Sequence, residues 1–339
     1  MTTPIQWKAG TNYPLGTTVQ YPKTGKYYVV AQVDKTNSSN GTDPTVSTWY
    51  WKPTTAPVAV VTPVVTPVVT PVTAVGSAIP VPKKVVATYF TLWGSANARI
   101  TTVPTTYNMI YLFQAIPTST GGLNFQYASS VTAAEIDQCQ ARGQRVVLTI
   151  GGAGAGFNYA TRAQSDAFIA SFKKIYDQLG GVDGCDFNNF EAFVGSSSTE
   201  MIYIGKSLKT LYGSNFSITC PPNPDQSYAP MDFAMVRAMA DAGVLDFAGP
   251  QFYDAPDLIT TARIVALTKE WITNIGADKV VVGLSSNYPE GPTLTTCMTA
   301  WNQLEAAYPT LRGVFSWSAQ NDALAQFKFA STMAPLVKA

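Results

Sequence analysis

The sequence predicts an α/β protein: a (β/α)8 TIM barrel over residues 84–339, preceded by a small all-β unit over residues 1–52 and joined to it by residues 53–83. Three observations carry this expectation. From Lys84 onward, eight short β-rich runs alternate with amphipathic helical patterns, the repeat that closes into a barrel of about 250 residues. Residues 53–83 recur as TPVV, and proline at every fourth place excludes both a helix and a sheet interior. Residues 1–52 instead hold strand-like runs between Gly, Pro and Asn turns. An open doubly wound sheet is the alternative, but no GxGxxG or phosphate-loop pattern follows any of the runs.

The first unit gathers Trp7, Tyr13, Tyr21, Tyr27, Tyr28, Trp49, Tyr50 and Trp51, with strands expected at 18–21 and 27–30. A domain this small cannot bury every ring, and an exposed aromatic face suits the apolar face of a sugar. The proline-rich segment reads as a semi-rigid tether; in polyproline II form, at about 3.1 Å per residue, it reaches on the order of 90 Å. Barrel strands are expected at 85–92, 108–115, 145–151, 182–191, 216–221, 245–253, 279–284 and 313–317. Between them, Thr132 and Glu135 form a capping box that opens a helix ending near Gly143. Residues 165–179 place Phe168, Ile169, Phe172, Ile175, Tyr176 and Leu179 on one helical face.

Composition removes several function classes. Lys+Arg 22 against Asp+Glu 21, without a basic block, argues against nucleic acid and anionic membrane as partners. The chain has no histidine, which excludes Ser/His/Asp and Cys/His catalysis and histidine-ligated zinc. Acid/base work falls to Asp, Glu, Tyr, Lys or Cys. Cys139, Cys185, Cys220 and Cys297 show no CxxC spacing, so neither a metal site nor a cofactor is expected; Cys185 and Cys220 read as small core residues. No apolar run is long enough to span a bilayer. The start, MTTPIQWKAG, lacks a basic segment followed by an apolar one, so no secretory signal is expected there.

Acids concentrate beside apolar sequence in residues 182–193, VDGCDFNNFEAF, which holds Asp183, Asp186 and Glu191. A carboxyl held among apolar neighbours has a raised pKa and is able to donate a proton. In a barrel, catalytic groups sit at the carboxyl ends of strands. Those ends supply Tyr89 and Trp93, Phe113 and Gln114, Gly151 and Gly152, then Asp186, Asn188 and Glu191. They also supply Pro222 and Asn223, Gln251, Tyr253 and Asp254, and Trp317. Aromatics, amides and carboxyls without a cationic clamp suit a neutral polysaccharide better than a phosphorylated ligand.

Two resemblances follow from these residues. Trp7, Gly10, Tyr13, Gly16, Val19, Tyr21, Gly25 and Tyr28, then Pro44 and Trp49-Tyr50-Trp51-Lys52-Pro53, resemble the small chitin- and cellulose-binding modules of carbohydrate-binding families 5 and 12. That resemblance points to Trp49 and Tyr50 as sugar-stacking residues, Tyr13 after them, and Trp7 and Trp51 as core. Residues 84–339 resemble the family 18 glycoside hydrolases through YFTLW at Tyr89, LTIGG at Leu148, DGxD at Asp183, QFYD at Gln251 and GVFSWS at Gly313. The resemblance implies substrate-assisted retaining hydrolysis of β-1,4-linked N-acetylglucosamine polymers, an exception to the two-carboxylate scheme. Glu191 is then the acid, Asp186 the carboxylate deeper in the strand, Tyr253 the partner of the acetamido group and Trp317 the floor of the sugar site. Asn188 stands where a second inner Asp belongs, and Tyr89, Trp93, Gln114, Gln251 and Asp254 complete the substrate-binding set. The expected partner is chitin or another N-acetylglucosamine-containing polysaccharide, met outside the cell after secretion or release by lysis, in one setting on an assembled particle.

The family pattern is DGxDxDxE, whereas DGCDFNNFE has one residue more. Counting from Asp183 turns Asp186 and Asn188 inward and puts Phe190 where the Glu belongs; counting back from Glu191 turns Asn189 inward and Asp186 away. A bulge near Asn188–Asn189 reconciles the two. Losing the second carboxylate costs about 2.7 to 4 kcal/mol of transition-state stabilisation by analogy with other electrostatic groups. A slow hydrolase, or alternatively a catalytically impaired lectin or structural surface protein on the same fold, is the expectation.

Overall fold

The computed structural model describes residues 5–11, 13, 17–31, 42–55, 79–93, 98–126, 130–156, 158–188 and 195–338, and the chain separates into two units, Met1–Val72 and Thr73–Ala339. The first contains an antiparallel sheet of β1 (Thr18–Gln20), β2 (Tyr27–Val30) and β3 (Trp51–Thr54) in that order. Alternation along β1 and β2 buries Val19, Tyr28 and Val30 on one face, where Tyr13, Tyr21 and Trp51 complete the core and Trp7 packs against it. β3 runs beyond the expected boundary at residue 52. Pro53 lies opposite Tyr28 on this edge strand, the sheet position that tolerates a residue without an N–H.

The second unit is a parallel barrel. Its strands are β4 (Val85–Thr91), β5 (Met109–Pro117), β7 (Arg145–Gly151), β8 (Gly184–Asn188), β9 (Ser217–Cys220), β10 (Phe247–Ala248), β11 (Val281–Gly283) and β12 (Gly313–Ser316). They pair in the order β10-β9-β8-β7-β5-β4-β12-β11, and bridges Ala248↔Val280 and Gln251↔Gly283 bring the ends together. The short β6 (Leu123–Asn124) adds an antiparallel pair to β5. The expected strand at 245–253 shrinks to two residues because Pro250 cannot donate to a ladder; Gln251, Tyr253 and Asp254 therefore stand on a loop beyond the strand.

Helices α1 (Ala133–Ala141), α2 (Arg162–Gln178), α3 (Ser198–Tyr212), α4 (Pro230–Asp241), α5 (Thr261–Ile275) and α6 (Leu294–Ala307) follow strands β6 through β11, and α7 (Ala319–Leu324) and α8 (Lys328–Lys338) end the chain. The Thr132–Glu135 capping box forms as expected. α2 starts three residues earlier than 165, because Thr161 and Gln164 form a second capping box. Between β4 and β5 the described residues hold a 3-10 turn, Ile100–Thr102, and no α-helix.

Strand alternation divides the apolar residues into two cores. Outward residues such as Val86, Leu112, Leu148, Cys185 and Phe187 meet the helices, where Phe168 and Phe172 of α2 also pack. Inward residues Val85, Ala87, Tyr89, Tyr111, Phe113, Val147 and Phe315 fill the barrel. At the amino-terminal end of the strands, buried Arg145 donates to the carbonyls of Asp183 (2.6 Å) and Asn215 (2.5 Å) and to Ile79. Arg312 donates to the Pro82 carbonyl at 2.9 Å. Residues 79–82, expected to belong to the tether, are thus fastened to the barrel, whereas most of the tether lies outside the described residues. All four cysteines are free and buried.

Candidate active site

The Asp186 carboxylate organises the interior of the barrel. β8 pairs with β7 in regular register from Gly184 to Asn188, so Asp186 and Asn188 share one face and Cys185 and Phe187 take the other. The latter two lie in the outer core, which turns Asp186 and Asn188 inward, as the count from Asp183 requires. The bulge expected near Asn188–Asn189 cannot be read past Asn188, because Asn189 and Glu191 lie outside the described residues. Asp183 is not part of this site. Its Oδ2 accepts from Val146 N at 2.7 Å and Gln140 Nε2 at 3.1 Å, fastening the entry of β8 to β7.

Three hydroxyls from three strands converge on Asp186. Thr219 Oγ1 donates to Oδ1 at 2.7 Å; Tyr89 Oη at 2.9 Å and Thr149 Oγ1 at 3.2 Å donate to Oδ2. Burial pushes the Asp186 carboxyl up from 3.8 to about 6, although these three hydrogen bonds favour its charged form. Burial first, then the Asp186 charge, holds the Tyr89 phenol well above its ordinary value, which keeps it a donor. Thr149 and Thr219 escaped the sequence analysis. Both occupy inward positions flanking the strand of Asp186, but a threonine in a β-run reads as a strand former unless the neighbouring register is known.

Aromatic rings build the wall beside this carboxyl. Tyr89 stacks on Tyr111 with centroids 4.7 Å apart and meets Trp317 at 5.4 Å. Phe113 stands edge-on to Trp317 at 4.7 Å and lies 5.2 Å from Trp93, which is 43% exposed. Trp317 is half-buried and follows β12 at the same end of the barrel. Gln114 is buried, and among the described residues its Oε1 has no hydrogen-bond partner.

A second group comes from the loops after β10 and β11. The buried Tyr253 hydroxyl donates to Gln251 Oε1, and Gln251 Nε2 donates to the Pro221 carbonyl at 2.6 Å, so the phenol is held through the loop after β9. Burial, then the charges of Asp254 and Asp186, raises the Tyr253 phenol well above its ordinary value. Asp254 is exposed at φ 65°, a conformation Asp adopts more readily than most residues; its N–H donates to the Glu290 carbonyl at 3.1 Å. Tyr288, which the sequence analysis missed, sets its ring edge-on to Tyr253 at 6.1 Å, and burial first, then the nearby Asp254, pushes its phenol up to about 12. No motif marks it; it enters the site because its loop folds back over the barrel end.

In the amino-terminal unit, Trp49 is 53% exposed on a turn fastened by Asp43. That carboxylate accepts from Thr45 N at 2.8 Å and Thr45 Oγ1 at 2.6 Å, and from the Tyr21 hydroxyl. Tyr50 lies 4.6 Å away with its ring at 88° to Trp49, so the two do not form one flat platform. Tyr13, expected as a further stacking residue, is buried edge-on against Trp51 at 5.7 Å, and its hydroxyl accepts from Lys8 N at 2.8 Å. Its ring belongs to the core because this small sheet has few other apolar groups to bury.

No family model matches the chain. Over 154 residues it is 29% identical to an exochitinase 1 from Streptomyces olivaceoviridis, a match covering 38% of this chain and 26% of that protein; it thus spans about a quarter of that relative's length. A family 18 chitinase from Chromobacterium violaceum superposes with a TM-score of 0.66 at 20% identity, over 99% of this chain and 100% of that one. A xylanase and α-amylase inhibitor protein from Scadoxus multiflorus superposes with a TM-score of 0.60 at 18% identity, covering 74% and 98%. The barrel therefore has a fold shared by chitinases and by inhibitor proteins.

Proposed function

We propose that the barrel is a chitinase-like glycoside hydrolase acting on β-1,4-linked N-acetylglucosamine polymers by substrate-assisted retention, and that residues 1–52 hold it on the polymer. The observation that carries this reading is the inward, buried Asp186, bound by Tyr89, Thr149 and Thr219 beside an aromatic wall that ends in Trp317. Such a carboxyl is able to orient the acetamido group and stabilise the positive charge of an oxazolinium, while Tyr253 holds the acetamido oxygen and Trp317 floors the sugar. Glu191, three residues beyond the end of β8, is the acid of this proposal. Glu191→Gln is expected to abolish release of product from an N-acetylglucosamine oligomer while oligomer binding persists. Undiminished turnover in the variant sinks the assignment.

A second reading has its own support. Asn188 occupies the inward position after Asp186, leaving one carboxylate where the family pattern has two, and inhibitor proteins share the fold. In that reading the chain is a chitin-binding lectin or surface protein. Prolonged incubation of wild-type protein with chitin oligomers separates the two: turnover that disappears in Glu191→Gln rejects the lectin, and absence of any turnover rejects the hydrolase.

A further inference from the structure

Gln114 is a feature of the barrel mouth that packing among the described residues does not explain. β5 and β7 pair in register up to Phe113↔Thr149 and resume at Ala115↔Ile150, so Gln114 is the extra residue of a bulge, a device that re-aims a side chain. Its amide comes to the carboxyl end of β7, where Oε1 lies 2.6 Å from the point a Cβ on Gly152 would occupy. The Phe113 ring reaches within 2.5 Å of the same point, and Gly152 has φ +125°. Only glycine allows this close approach of both side chains. The residue is 9% exposed, and among the described residues this carbonyl oxygen accepts no hydrogen bond. A buried acceptor without a donor destabilises the folded chain, and retaining one calls for a reason.

We infer that Gln114 Oε1 accepts a hydrogen bond from the bound sugar, from an acetamido N–H or a ring hydroxyl, and that Gln114 thereby determines which sugars the mouth takes. The inference rests on the carbohydrate reading above. A site built to receive a donor rejects ligands that lack it, because its own polar group is then left unpaired. Phe113 sets the depth of this contact, since its ring stands between Gly152 and Trp317.

The test compares the full chain with its Gln114→Met variant, which keeps the side-chain length and removes the acceptor. Both carry Trp49→Ala and Tyr50→Ala, so that the amino-terminal unit does not contribute. Calorimetric titration with β-1,4 trimers of N-acetylglucosamine and of glucose gives Kd, and thermal unfolding gives Tm. Gln114→Met is expected to raise Tm by about 2 °C or more and to weaken binding of the N-acetylglucosamine trimer roughly tenfold. A loss confined to that trimer assigns the donor to the acetamido N–H, and an equal loss with both trimers assigns it to a hydroxyl. Unchanged Kd values overturn the inference and leave the carbohydrate reading standing. Weaker binding with a lower Tm marks Gln114 as a packing residue and also overturns it. Failure of the Gln114 protein to bind either trimer overturns both readings.

Discussion

Replacing Asp186 with Asn should change how the barrel's stability depends on pH. The folded chain raises this carboxyl from 3.8 to about 6, so between those values it holds a proton that the unfolded chain has released. The stabilising contribution is complete below pH 4 and is lost as pH rises through 6. At about 1.4 kcal/mol per tenfold change, ionised Asp186 costs the folded barrel about 3 kcal/mol at pH 7. An Asn carries no such cost. It also turns an amide N–H toward hydroxyls that donate to the carboxylate, so its absolute Tm is a poor measure and the pH dependence is the useful one. Thermal unfolding of wild type and Asp186→Asn at pH 4, 5, 6 and 7 is the assay, following the barrel transition. The Tm of the variant minus that of wild type should climb by about 5 °C or more from pH 4 to pH 7, most of it by pH 6. Carboxylates elsewhere titrate in both proteins and cancel in the difference. A difference that stays flat, or falls as pH rises, refutes the claim that Asp186 is buried and reluctant to ionise.

Tyr89→Phe removes one of the three donors to Asp186, so the midpoint of that pH dependence should move above 6, as read from the same difference melts against a Tyr89→Phe/Asp186→Asn reference. A midpoint that falls contradicts the direction of this hydrogen bond. Trp49→Ala should weaken retention on insoluble chitin by about 5- to 10-fold in a depletion assay, the loss of one stacking ring. Equal retention contradicts a sugar-binding role for the exposed ring. Glu191→Gln and Gln114→Met, described above, test the acid and the orphan acceptor.

The barrel was legible because its signals are local. Period-two apolar runs, the Thr132–Glu135 cap and the helical face of Phe168, Phe172 and Ile175 each fall within a few residues of chain, and all three reappear in the structure. Errors arose where a local rule met a competing one. Pro250 cut the strand at 245–253 to two residues, and the sheet carried Pro53 on an edge. Tyr13, which the resemblance pointed to as a stacking residue, is buried because burial of an aromatic is a property of the whole sheet and not of its own neighbours.

By itself, the sequence determined the repeat of strands and helices and the absence of imidazole chemistry, while its two counts through residues 183–191 left the face of Asp186 open until the pairing of β8 with β7 turned it inward. Composition and local apolar patterning suffice for the first two. Only the tertiary structure decided which groups meet that carboxyl: Tyr89, Thr149 and Thr219 come from three separate strands, 97, 37 and 33 residues away. The perpendicular Trp49 and Tyr50, the folded-back Tyr288 and the stranded amide of Gln114 are likewise products of packing. Local sequence sets the face on which a side chain lies, while the register between distant strands sets what it touches and therefore what its chemistry becomes.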